Sequence, residues 1–138
     1  MSFLVDADVL SEATKPSPDP TVLDWLRENE ADLAVNPVIL GEIRCGILLL
    51  PRGARRTRLE QWFAAGVASI HCLPWEASTG WRWAELLAEL RKRGRAMPVK
   101  GSMIAATALE HGLRVVSRNR RDFAAADLDV LDPFDRDS

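Results

Sequence analysis

Five short apolar runs punctuate this chain, and all but the last pair are separated by stretches of helical periodicity. The runs are Phe3-Leu4-Val5, DLAV at 32–35, HCLP at 71–74, LRVVS at 113–117 and LDVL at 128–131. Runs this short and apolar suit buried strands. Helix starts lie between them. Asp19-Pro20 and Asn36-Pro37 each join a capping side chain to a proline whose ring is pre-set for the first turn. Behind Asn36, the residues Ile39, Ile43, Gly46, Ile47 and Leu50 form one helical stripe that Pro51 ends. Leu59, Trp62, Phe63, Gly66, Val67 and Ile70 form the core face of the next helix. A further helix turns Trp83, Leu87 and Leu90 inward and stops before Gly94. The last long one starts near Ser102, carries Ile104, Ala105, Ala108 and Leu109, and ends at Gly112. This alternation predicts an α/β fold: a mostly parallel sheet of four to five short strands flanked by helices, in one domain over 1–138.

Several function classes are disfavoured by composition. A formal charge of −2 gives no global attraction for nucleic acid, so a polyanion must be held by local basic patches or by metal. Cys45 and Cys72 make no CxxC pair and read as reduced thiols. The acids Asp6 and Asp8 interrupt the first apolar run, unlike a signal peptide, and Ile47 to Leu50 is far too short to span a bilayer. The expected setting is cytoplasmic, away from membranes. Ser11, Ser78, Ser102 and Ser117 lack a Gly-x-Ser-x-Gly setting, and His71 and His111 lack metal-ligand spacing. The five tryptophans fall mostly on helical core faces.

In parallel α/β sheets, chemistry gathers beyond the carboxyl ends of the strands. Asp6 and Asp8 follow the first run there, and Asp122 follows RVVS. Glu42 sits in the most apolar helix, where a carboxylate is expensive unless something neutralises it. Brought together, these acids would repel one another, and a hard divalent cation would relieve the conflict. Each also has a plainer reading. Asp6 or Asp8 suits the cap of a helix beginning at VLSE, Glu42 a structural ion pair with an arginine, and Asp122 a turn or cap before FAAAD. Of three basic clusters, Arg118, Arg120 and Arg121 bracket Asn119 and Asp122 at a strand end, where arginines would hold phosphates near the chemistry. The other two, around Arg55 and around Arg93, also read as solvated helix faces or ends.

Four segments in this order, FLVDADVLSE, PDPTVLDWL, VILGEIRCGI and MPVKGSMIAATALEHGLRVVSRNRRDF, resemble the PIN-domain ribonucleases, and within them the VapC-type toxins of bacterial toxin–antitoxin pairs. The resemblance runs almost end to end and implies a single PIN domain built as a three-layer sandwich. It also implies a small cytosolic endoribonuclease using Mg²⁺ or Mn²⁺. Asp6, Glu42 and Asp122 fall on the family's metal-binding acids, and with Asn119 they make up the implied catalytic set. Arg118, Arg120 and Arg121 are the implied RNA contacts. A homodimer and a VapB-type antitoxin, whose tail enters the acidic groove, complete the expectation.

Three positions depart from that pattern. Ala7 stands where the family has threonine, and Asp8 replaces asparagine, making it an auxiliary acid. Gly101 stands where similar sequences place a metal-binding aspartate. Losing one carboxylate from a small oxygen-ligand site weakens its pull on the cation, so folding is expected to survive and cleavage to be impaired. Two alternatives remain. One is a non-catalytic module that captures antitoxin or RNA. The other is a haloacid-dehalogenase-like phosphatase, for which FLVDADVL would supply Asp6 as nucleophile and Asp8 as acid/base.

Overall fold

The strand β1 (Phe3–Val5) lies at the centre of a five-stranded sheet in a computed structural model that describes residues 1–135. The strands β2 (Leu33–Val35), β3 (His71–Cys72), β4 (Arg114–Val116) and β5 (Val130–Leu131) complete it in the order β3-β2-β1-β4-β5. All four pairings are parallel. Consecutive residues Leu4, Val5, Ala34, Val35, Val115 and Val116 have no exposed surface, so helices cover both faces of the sheet.

Seven helices are present among the described residues: α1 (Ala7–Leu10), α2 (Pro20–Glu28), α3 (Pro37–Leu48), α4 (Ala54–Ala65), α5 (Ala77–Lys92), α6 (Val99–His111) and α7 (Arg120–Phe123). The two cap-plus-proline starts form as expected. Asp19 accepts from the Thr21 N–H at 2.9 Å, and Asn36 accepts from the Ile39 N–H at 2.9 Å. Gly112 ends α6 in the left-handed conformation at φ 65°, where glycine has no Cβ to clash. The chain first builds β1, β2 and β3 to one side, then crosses back to lay β4 and β5 on the other. The order therefore reverses between β1 and β4, and a crevice opens beyond their carboxyl ends.

Three local expectations are corrected. The core face running to Ile70 is interrupted: α4 stops at Ala65, Gly66 caps it, and Val67 is buried from a separate single turn. No residue of α4 is fully buried, so this helix lies at the edge of the core. In α5 the buried stripe is Thr79, Leu86 and Leu90, with Leu87 exposed. Half-buried Trp83 lies beside that stripe and donates from Nε1 to Ser102 Oγ at 2.9 Å. Finally, α6 begins at Val99 with Pro98 in the cap position, so Ser102 lies inside the helix. Its hydroxyl donates to the Val99 carbonyl at 2.6 Å and does not cap.

Fully buried Asn36 also spans two helices, because its Nδ2 donates to Thr107 Oγ1 of α6 at 3.0 Å. Replacing it removes a cap and a buried hydrogen bond together. Asn36→Ala is expected to lower unfolding free energy by about 2 kcal/mol, measured by urea denaturation, with helix content retained below the transition.

Candidate active site

The carboxyl ends of β1 and β4 hold the densest group of acids. Asp6 follows Val5 directly and is 7% exposed. Its backbone N–H donates to the Val116 carbonyl at 2.8 Å, continuing the β1–β4 pairing by one residue. Its side chain is held twice: Oδ1 accepts from the Ala7 N–H at 2.8 Å, and Oδ2 accepts from the Ser117 hydroxyl at 2.8 Å. Asp6 is thus the α1 cap that the plainer reading proposed, and it also faces the other acids.

Ser117 is fully buried, and its Oγ accepts from the Asn119 N–H at 3.0 Å. One hydroxyl therefore orients the Asp6 carboxylate and fixes the turn into α7. In the sequence Ser117 stands out only as a serine without a nucleophile motif. The available signal was a small hydroxyl residue placed directly after a buried run.

The remaining acids arrive from different elements. Asp8, in the first turn of α1, accepts from the Arg118 N–H through Oδ2 at 3.1 Å, while its buried Oδ1 has no partner. Glu42, midway along α3, meets the Lys100 ammonium at 3.7 Å. Its ion-pair partner is a lysine, where the plainer reading had an arginine. Asp122 lies within α7 and does not cap it. Asn119 precedes α7 with its side chain exposed, and its link to the cluster runs through its backbone N–H.

Burial chiefly raises the pKa of Asp6, and Asp122 adds repulsion, against the hydrogen bonds from Ser117 and Ala7. Burial likewise leads in raising Glu42, followed by repulsion from Asp6, with Lys100 opposing. Asp8 is pushed up to about 6, first by burial and then by Asp6. Three carboxyls are thus strained in the same direction by burial and by each other. Asp6 is the hub: it lies within electrostatic reach of Asp8, Glu42 and Asp122, and Glu42 also feels Asp122.

Gly101, the third residue of α6, is buried in the same place. A Cβ built there meets the Asp122 carbonyl at 3.3 Å and the Asp122 Cβ at 3.8 Å. A side chain at this position would therefore start beside Asp122, whose carbonyl would have to give by a few tenths of an ångström. The donor chemistry suits a hard cation: carboxylate oxygens, a buried orphan oxygen and mutual repulsion. Among the described residues, however, no three His, Cys, Asp or Glu side chains are grouped to hold one ion.

The arginines are differently engaged. Arg118 rests over the Phe134 ring at 4.5 Å, Arg120 pairs with Asp135 at 3.3 Å, and Arg121 is exposed. His71 and His111 are exposed, and Cys45 and Cys72 are free thiols. A groove of about 390 Å³ leaves the acids between α1, α3 and α4, lined by Asp8, Glu42, Ile43, Ile47, Leu59 and Arg55. A larger cavity, about 670 Å³, opens among Met1, Leu33 and His71, at the strands' opposite ends. Its lining is mainly apolar and includes none of Asp6, Asp8, Glu42 or Asp122. No helix among the described residues is long and apolar enough to cross a membrane.

Comparison with known proteins places this arrangement. The chain is 32% identical to the VapC ribonuclease Y4jK of Sinorhizobium fredii, over 96% of this chain and 98% of that protein. The crystal structure of FitAcB from Neisseria gonorrhoeae superposes with a TM-score of 0.88 at 27% identity, covering 96% of this chain and 98% of that one. VapBC-5 of Mycobacterium tuberculosis, from the VapBC family of toxin–antitoxin systems, matches at a TM-score of 0.63 and 28% identity, over 72% of this chain and 81% of that one. Residues 3–128 match the PIN domain, and the acids at the strand ends sit on that scaffold: the chain belongs to the PIN-domain family.

Proposed function

We propose that this chain is the toxin half of a toxin–antitoxin pair, descended from a metal-dependent endoribonuclease whose cleavage is impaired here by Gly101. The observation that carries the reading is the group of mutually repelling acids at the β1–β4 crevice, one position short where glycine replaces a side chain beside Asp122. Similarity to a protein named as a VapC ribonuclease supports the substrate class, and similarity to a VapBC system supports a VapB-type antitoxin as partner. The acidic groove is the place for that partner's tail. Homodimer formation and a cytoplasmic setting belong to the same proposal.

Asp6, Glu42 and Asp122 are the residues that would hold Mg²⁺ or Mn²⁺, with Asp8 as an auxiliary oxygen donor. Such an ion, when bound, lowers the pKa of a water and offsets charge developing on the scissile phosphate. The chain's own contribution is positioning. Ser117 and the Ala7 N–H fix both oxygens of Asp6, so that carboxylate needs no reorganisation. The Asn119 N–H anchors the turn that delivers Asp122. Arg118, Arg120 and Arg121 line the exit of β4, where they would hold an RNA backbone once Arg118 leaves the Phe134 ring and Arg120 leaves Asp135. The phosphatase alternative fares poorly, because a buried Asp6 held by two hydrogen bonds is a fixed acceptor and not an exposed nucleophile. The binding-only alternative shares the same groove and differs in its response to a restored acid.

Gly101→Asp is expected to raise RNA cleavage in Mg²⁺ or Mn²⁺ by about 100-fold or more, the scale for regaining one placed charge-stabilising group. If the restored protein binds metal and cleaves no faster, the nuclease reading fails and the binding module takes its place.

Charge strain in the pocket gives a second test. Asp8 has a folded-state pKa near 6 against 3.8, so folding takes up a proton between those values. Its contribution to stability is therefore lost as pH rises through that window. In Asp8→Asn the amide oxygen keeps the Arg118 bond, and its NH₂ faces an acceptor-rich pocket. The variant should melt higher than the wild type by roughly 2–5 °C at neutral pH. That gap should close by about pH 4 in a pH series of thermal melts.

A further inference from the structure

The first turn of α6 supplies the acidic pocket with a cation as well as lacking an acid. Lys100 immediately precedes Gly101, and its ammonium reaches Glu42 at 3.7 Å. Its field also reaches Asp6, at the back of the crevice. The lysine side chain is 68% exposed and Glu42 is 26% exposed, so the pair joins an exposed cation to a half-buried anion. Exposed pairs of this kind contribute little to folding. The effect of this one falls instead on the charge balance of the pocket.

We propose that Lys100 is a tethered competitor for the cation site: its ammonium occupies Glu42 and lowers the pocket's affinity for a divalent ion. This inference rests on the proposed reading that the pocket takes Mg²⁺ or Mn²⁺. The Lys100 charge acts on two carboxylates of the pocket, Glu42 by direct pairing and Asp6 at longer range. A dication entering the group meets that charge at close range and must displace it from Glu42. Both effects act in the same direction. The Gly101 departure makes the competition matter more, because no carboxylate at that position outweighs the lysine.

The test uses Mn²⁺ alone, titrated into the full chain and followed by the electron paramagnetic resonance signal of free Mn²⁺. Lys100→Gln should bind Mn²⁺ about tenfold more tightly than the wild type, the scale for removing one partly screened charge near a dication. Lys100→Arg keeps the charge and should match the wild type. Arg27→Gln makes the same change in net charge beside the cavity at the strands' opposite ends, and should also match it. Equal affinity of Lys100→Gln and the wild type overturns the proposal and leaves the metal site standing. Equal tightening by Arg27→Gln overturns it as well, by tracing the effect to net charge. Failure of every protein to bind Mn²⁺ removes both the proposal and the metal reading beneath it.

Discussion

The parallel pairing of β1 with β4 is the constraint on which the site depends. Val5 and Val116 lie in register, and the residues following each meet across 111 positions of sequence when Ser117 donates to Asp6. A slip of one residue between these strands would turn Asp6 or Ser117 to the opposite face of the sheet. The slip is prevented by burial, because Leu4, Val5, Val115 and Val116 have no exposed surface. An apolar core is therefore what aims a polar site. The hydroxyl–carboxylate bond is then formed where water cannot compete with it.

The helices α3 and α6 deliver the other charges and are tied together below the site by Asn36. Its amide group caps α3 and reaches Thr107 on α6, so the helices that carry Glu42 and Lys100 share one buried link. Position 101 lies on the same α6 turn as Lys100, beside α7. A glycine in a helix interior costs about 0.5–1 kcal/mol relative to alanine. Here it removes a contact tighter than an ordinary van der Waals approach, so the local balance is mild. Loss of the acid falls on chemistry far more than on folding.

What could be read in the sequence was local. Asp19 and Asn36 act as caps because a side chain and a backbone N–H two or three residues away are all the motif requires. Gly112 stops α6 for an equally local reason. Asp6, Glu42 and Asp122 were legible as candidates because strand ends and an isolated charge in an apolar helix are visible in a string. The choice between Leu86 and Leu87 was not, since both fit the helical period and only the packing of α5 against α6 separates them. The start of α6 was misplaced because a proline in the cap position offers no side-chain signal. Ser117 and Lys100 escaped notice because their roles exist only through partners distant in sequence, Asp6 and Glu42.

Arg118 carries two attachments of different kinds. Its backbone N–H holds Asp8, and its guanidinium rests on the Phe134 ring. Cation–ring contacts of this sort are worth on the order of 1 kcal/mol and depend steeply on position. The loop after β4 is thereby a joint between the acidic pocket and the end of the chain. Asp8 and Phe134 are thus tied to the same residue, one through its backbone and the other through its side chain.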